Sequence, residues 1–88
     1  MTITFPNSAR SFDEAAKRVR FLGYDGMFEI RFLVEADALR MEPTQSNPSE
    51  RDYLAAFDRI RTRILEVAVR VYASKRKNLI VLGPADFR

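Results

Sequence analysis

The stretch KRVRFLGYDGMFEIRFLV, residues 17–34, decides the fold. Asp25-Gly26 separates two runs rich in β-branched and aromatic residues, which is the pattern of a hairpin. Asp-Gly suits the positive φ angles of a type I′ turn. A two-residue loop there pairs Tyr24 with Met27, Phe21 with Ile30 and Val19 with Phe32. These residues are all apolar, and Phe21, Ile30, Val19 and Phe32 fall on one face, so turn position and pleat parity agree. The other face carries Arg18, Arg20, Leu22, Glu29, Arg31 and Leu33 and is partly wet. In this register Arg20 lies opposite Arg31, a mildly unfavourable pair that Glu29 on the diagonal offsets.

Outward from the hairpin, Thr2–Phe5 alternates and then meets Pro6-Asn7-Ser8, which predicts a short first strand ended by a turn. Ser11-Phe12-Asp13-Glu14 has the form of a capping box and predicts a helical turn through Ala15-Ala16. Downstream, Glu35–Leu39 predicts another helical turn, and Met41–Pro48 reads as a loop. Ser49 is the N-cap of a long helix, with Glu50 and Asp52 in its first turn. Tyr53, Phe57, Ile60, Ile64, Val67 and Val71 step along it at helical period. The spacing predicts one continuous rod over Glu50–Ser74, with Lys75-Arg76-Lys77 at its negative pole and Asn78 as the stop. Leu79–Leu82 is then a buried strand closed by Gly83-Pro84. The expected architecture is a single α+β domain over residues 1–88. It has a mainly antiparallel four-stranded sheet, one long helix in the C-terminal half packed on one face, and the order β-β-β-α-β.

Composition narrows the chemistry. The chain has neither cysteine nor histidine. That excludes disulfides, the commonest zinc ligands, and nucleophilic catalysis of the Ser-His-Asp or Cys-His kind. Ser8, Ser11, Ser46, Ser49 and Ser74 all lie outside any G-x-S-x-G elbow, and three glycines assemble no phosphate-cradling loop. The paired carboxylates Asp13-Glu14 and Glu35-x-Asp37 suit acid/base work or a hard cation, or, as their mismatch to any full metal-loop signature favours, a turn cap and a solvated strand end. No cofactor, no metal and no enzymatic activity are expected. The N-terminus lacks the basic start and apolar run of a signal peptide. The longest aliphatic run, Leu79–Leu82, falls far short of the roughly 20 residues of a membrane helix. A cytoplasmic location without membrane contact is the expectation.

Charge is uneven. Residues 1–44 carry six basic and seven acidic side chains, net −1; residues 45–88 carry nine and five, net +4. On an unbroken helix Arg59, Arg63 and Arg70 fall within roughly 40° of one another. Lys75, Arg76 and Lys77 extend that ladder, which is suited to phosphates or, more plainly, is a solvated face softened by Glu66. Leu54, Leu65, Val69 and Tyr72 widen the apolar arc to roughly 200°, more than one sheet face covers. This flank suits a second copy of the chain, or the loop 40–48 or the N-terminal segment folded over it. Arg61 lies inside the widened arc and needs a carboxylate, with Asp58, Asp37 and Asp86 as candidates, or a wet head above a packed stem. Pinned in a pocket, it would be the chain's best contact for an anion or a partner.

The residues now in view resemble a known family. Ile3-Thr4-Phe5-Pro6 at the start, Val19-x-Phe21 with its Asp25-Gly26 turn and the returning apolar strand to Val34 carry the likeness. So do Ala38-Leu39, the helix core Phe57-x-x-x-Arg61-x-x-Ile64-x-x-x-Ala68, and Leu79–Leu82 followed by Asp86. In order and spacing these are similar to a bacterial family of small proteins catalogued as a domain of unknown function, DUF1488, over nearly the whole chain. The resemblance implies an α+β fold and a bacterial source. It implies no activity and transfers no site residue. Three readings of function follow: a non-catalytic interaction domain that pairs with itself as a homodimer, a nucleic-acid-associated protein using the basic helix face, and a small-ligand sensor or enzyme.

Overall fold

The structure is a computed structural model and describes residues 3–39 and 48–88. Four strands form one sheet in the order β1-β2-β3-β4, with β1 Arg10–Asp13, β2 Arg18–Asp25, β3 Phe28–Glu35 and β4 Leu79–Leu82. Two helices, α1 Glu50–Arg59 and α2 Arg61–Lys75, lie between β3 and β4. Single 3-10 turns follow β3 at Ala36–Leu39 and β4 at Pro84–Phe87. The class is α+β, but the sheet is mixed. β1/β2 and β2/β3 are antiparallel, while β3/β4 are parallel, because the helices carry the chain back to the starting end before β4 begins. The loop expected over Met41–Pro48 lies, except for Pro48, outside the described residues.

The hairpin stands, with its turn moved by one residue. The central pair is Gly26-Met27, and the register pairs Asp25 with Phe28, Phe21 with Phe32 and Val19 with Val34. Gly26 has φ +62 while Met27 is absent from the positive-φ residues, a pattern that suits a type II′ turn, with glycine first, and not type I′. Opposing pairs shift by two residues in total, so parity survives and Val19, Phe21, Ile30 and Phe32 still face the core. Arg20 now lies opposite Leu33 and Arg31 opposite Leu22, so the expected like-charge pair does not form.

The first strand is elsewhere than expected. Thr4 makes only an isolated bridge with Tyr24, with both backbone bonds at 2.8 Å. The strand that completes the sheet is Arg10–Asp13, where the capping-box pattern predicted a helical turn. Two tertiary contacts outweigh that local signal. The Phe12 ring stacks on Tyr53 at 4.3 Å, and Arg10 grips Asp58 of α1 with two hydrogen bonds, at 3.0 and 2.8 Å. Asp13 instead caps the turn into β2, accepting from the Ala16 amide, and Lys17 closes it at φ +55.

The expected rod is broken at Ile60, whose φ of −114 and ψ of 23 leave the helical region. Its amide bonds back to the Phe57 carbonyl, a tightened last turn, and α2 restarts when the Ile64 amide reaches the Ile60 carbonyl. No proline or glycine causes the break. Ile60 and Thr62 are β-branched and hold a helix weakly, while Asp58 is tied to β1. α1 keeps the predicted Ser49 cap, a full capping box with Asp52 as its acidic partner. α2 ends at Arg76, in the left-handed region at φ 49, and not at Asn78.

Both helices cover the same sheet face. Phe57 of α1 and Ile64, Val67, Ala68 and Val71 of α2 pack on Val19, Phe21, Ile30, Phe32, Val34, Ile80 and Leu82. Phe21 stacks on Phe32 at 5.1 Å and meets Phe57 at 5.4 Å. Gly23 leaves a gap on this face, which Phe5 and Ile3 fill from the N-terminal segment.

Candidate interaction surfaces

The residues singled out from sequence are mostly committed to holding the fold. Arg61 donates to the Ser8 carbonyl at 3.0 Å and to Asp58 at 3.1 Å, and its guanidinium lies 5.0 Å from the centre of the Phe57 ring. Its carboxylate is therefore Asp58, which also receives Arg10. The hydrogen bond from Arg10, seconded by Arg61, holds the Asp58 carboxyl below its usual range, and the same bond raises the pKa of Arg10. Arg61 thus fastens the N-terminal segment over α1.

The arginine ladder is interrupted. Arg59 ends α1 on the far side of the break, so the unbroken-helix geometry that aligned it with Arg63 and Arg70 no longer applies. Arg63 donates to the Phe87 carbonyl at 3.1 Å, and Arg70 donates to the Asp86 carbonyl. These two side chains fasten the C-terminal turn, which buries Phe87. Glu66, expected between them, forms an ion pair with neither. Lys75 in the last turn of α2, and Arg76 and Lys77 after it, are exposed.

The helix flank is largely covered. Leu54, Leu65 and Tyr72 are half-buried against the core, and Val69 alone of the four is exposed, at 44%. The Tyr72 hydroxyl donates to an Asp25 carboxylate oxygen at 2.6 Å, tying the last turn of α2 to the end of β2. That bond raises the phenol pKa, because ionisation would place two negative charges together.

The uncovered apolar surface lies on the other side of the sheet, which no described element packs against. Leu22 of β2, Leu33 of β3 and Val81 of β4 are half-buried there, and Leu79 is 50% exposed. Beside them is an open trough of about 490 Å³ whose lining includes Ser11, Asp13, Arg20, Arg31, Leu33 and Leu79. Leu79–Leu82, expected to be buried throughout, is buried only at Ile80 and Leu82. At the hairpin tip Met27, in the turn, and Phe28, opposite Asp25, are 98% and 74% exposed. The legible signal for this surface was parity: Leu22 and Leu33 already fell on the outer face of the hairpin, and β4 was the strand left to join them.

Among the described residues no cluster of acidic side chains has metal-site geometry, and no helix is long and apolar enough to cross a membrane. No curated protein and no solved structure matches the chain. Residues 3–82 match a family described as "Protein of unknown function (DUF1488)", which spans every strand and both helices, and the chain belongs to that family.

Proposed function

We propose that this protein is a non-catalytic interaction domain that associates with a second copy of itself in the bacterial cytoplasm. The observation that carries the reading is the one-sided cover of the sheet: both helices pack on one face, while Leu22, Leu33, Leu79 and Val81 line the other. Apolar surface of this kind usually marks a docking site. The helix flank contributes less than its sequence suggested, with Val69 as its one exposed residue among the four. A reducing compartment suits a chain that uses no disulfide.

The nucleic-acid alternative has less support. Arg63 and Arg70 spend donors on the C-terminal turn, which leaves Arg59 and Lys75–Lys77 of the predicted helix ladder as candidate phosphate contacts. Of the residues lining the trough on the open sheet face Phe12 is the aromatic one, and its ring is already stacked on Tyr53, so the face offers little for base stacking. A ligand site at Arg61 is disfavoured by its ties to Ser8 and Asp58, and the trough lies on the opposite side of the sheet. Light scattering coupled to size exclusion tests the leading reading. A concentration-dependent dimer is expected at high micromolar protein, and a strict monomer under those conditions rejects it.

A further inference from the structure

The two edges of the sheet are built differently. β1 is Arg10-Ser11-Phe12-Asp13, with a charge at each end, which is the usual way to blunt an edge against pairing. β4 is Leu79-Ile80-Val81-Leu82, with no charge, no proline and no bulge. Its backbone direction follows from one bond. The Arg31 amide donates to the Asn78 carbonyl at 2.8 Å, so Asn78 aims its carbonyl at β3. In a parallel pair, successive residues alternate in which neighbour their N–H and C=O address. Ile80 and Leu82 therefore address β3, while Leu79 and Val81 aim both backbone groups away from the sheet. Among the described residues neither Leu79 nor Val81 has a hydrogen-bond partner on that outer side.

We infer that the β4 edge pairs antiparallel with the β4 edge of a second copy, joining the two sheets into one of eight strands. This rests on the self-association reading and gives it a contact at the sheet edge, beside the open face that carries Leu22 and Leu33. Of the two-fold symmetric registers, one uses both outward residues of each copy. Only Leu79 and Val81 point outward, so Leu79 of one copy exchanges both backbone bonds with Val81 of the other, and the axis passes at Ile80. The side chains agree with this register. Leu79 and Val81 sit on the open face, and the pairing continues the Leu22–Leu33–Val81 strip across the axis and covers half-exposed Leu79. Lys77 of one copy falls opposite Gly83 of the other, outside the four paired backbone bonds, so the cationic run before β4 stays clear of the paired segment. A strand from an unrelated protein does not share this self-complementary register, in which each copy supplies the same two outward residues.

The test uses the full chain and three variants, each placing a charge at a solvent-facing position: Val81→Lys and Leu79→Lys at the edge, and Val69→Lys on the helix flank. Circular dichroism identifies the variants that fold, and the second edge variant serves if the first does not. Dimer dissociation is followed by sedimentation, and amide exchange is read at Leu79 and Val81. The edge variants are expected to weaken dimerisation by at least about tenfold, with Val69→Lys unchanged. Both amides are expected to be protected in the dimer and to exchange quickly on dilution. A dimer that survives both edge charges, or whose Leu79 and Val81 amides exchange freely, overturns this pairing and leaves self-association standing. A monomeric wild-type chain overturns both, and it turns the edge into a site for a strand from another protein.

Discussion

Gly23 shows how one side chain's absence is set by the fold. In a strand interior glycine costs about 0.5–1 kcal/mol relative to alanine, so on local grounds Gly23→Ala should stabilise. Here an added Cβ meets the Phe5 ring at 2.7 Å, Ile3 at 3.0 Å and Phe32 at 3.1 Å. Overpacking of that order costs about 1–3 kcal/mol and outweighs the local gain. Gly23→Ala is therefore expected to lower the urea midpoint with an unchanged slope, and a raised midpoint would show that the N-terminal segment gives way easily. The sequence shows a glycine at position 23 but not the segment that crosses above it. Arg61 was legible at the same scale, since an arginine among leucines needs a partner, and Asp58 one turn back was among the candidates. The Ser8 carbonyl, which it also holds, is distant in sequence and had no signal.

At the scale of elements, periodicity located the helical region but missed its break. The stripe from Tyr53 to Val71 continues through Ile60, so a pattern of apolar spacing is blind to one residue that leaves the helix. Nor did local pattern find β1, because Ser11 to Glu14 satisfies a helix-start rule, and only an open edge of β2 with Tyr53 and Asp58 nearby makes it a strand. The tie between α2 and β2 is testable directly. With its proton held by the Asp25 carboxylate, the folded-state Tyr72 phenol has a raised pKa. A raised pKa contributes stability below the unfolded value of about 10 and loses it as pH climbs through the folded value. In an ultraviolet titration the Tyr72 phenol should therefore ionise late, and Asp25→Ala should lower its midpoint. Late ionisation that persists in Asp25→Ala would assign the shift to another cause.

For the whole molecule, the chain is closed by contacts between distant segments, and Asp58 is the busiest of them. It joins β1 through Arg10 and the N-terminal segment through Arg61. Its carboxyl is held below the usual range, so its contribution is present above the unfolded value of about 3.9 and lost as pH falls toward the folded one. Asp58→Asn is expected to reduce stability at neutral pH by about 1 kcal/mol or less, since the pair is partly exposed, and to flatten the acid limb of the stability profile. Thermal melts across the acid range check both, and an acid limb identical to wild type would remove Asp58 from the account. By itself the sequence determined the α+β class, the hairpin with its core parity, the Ser49 cap and the β4 segment, all set by spacing within a few residues. The tertiary structure alone decided which segment became β1, where the helix broke, that β3 and β4 run parallel, and which sheet face stayed bare. Each of those is chosen by competition between segments far apart in the chain, and the winner is the one that buries more surface or pairs more backbone, a comparison that local spacing does not contain.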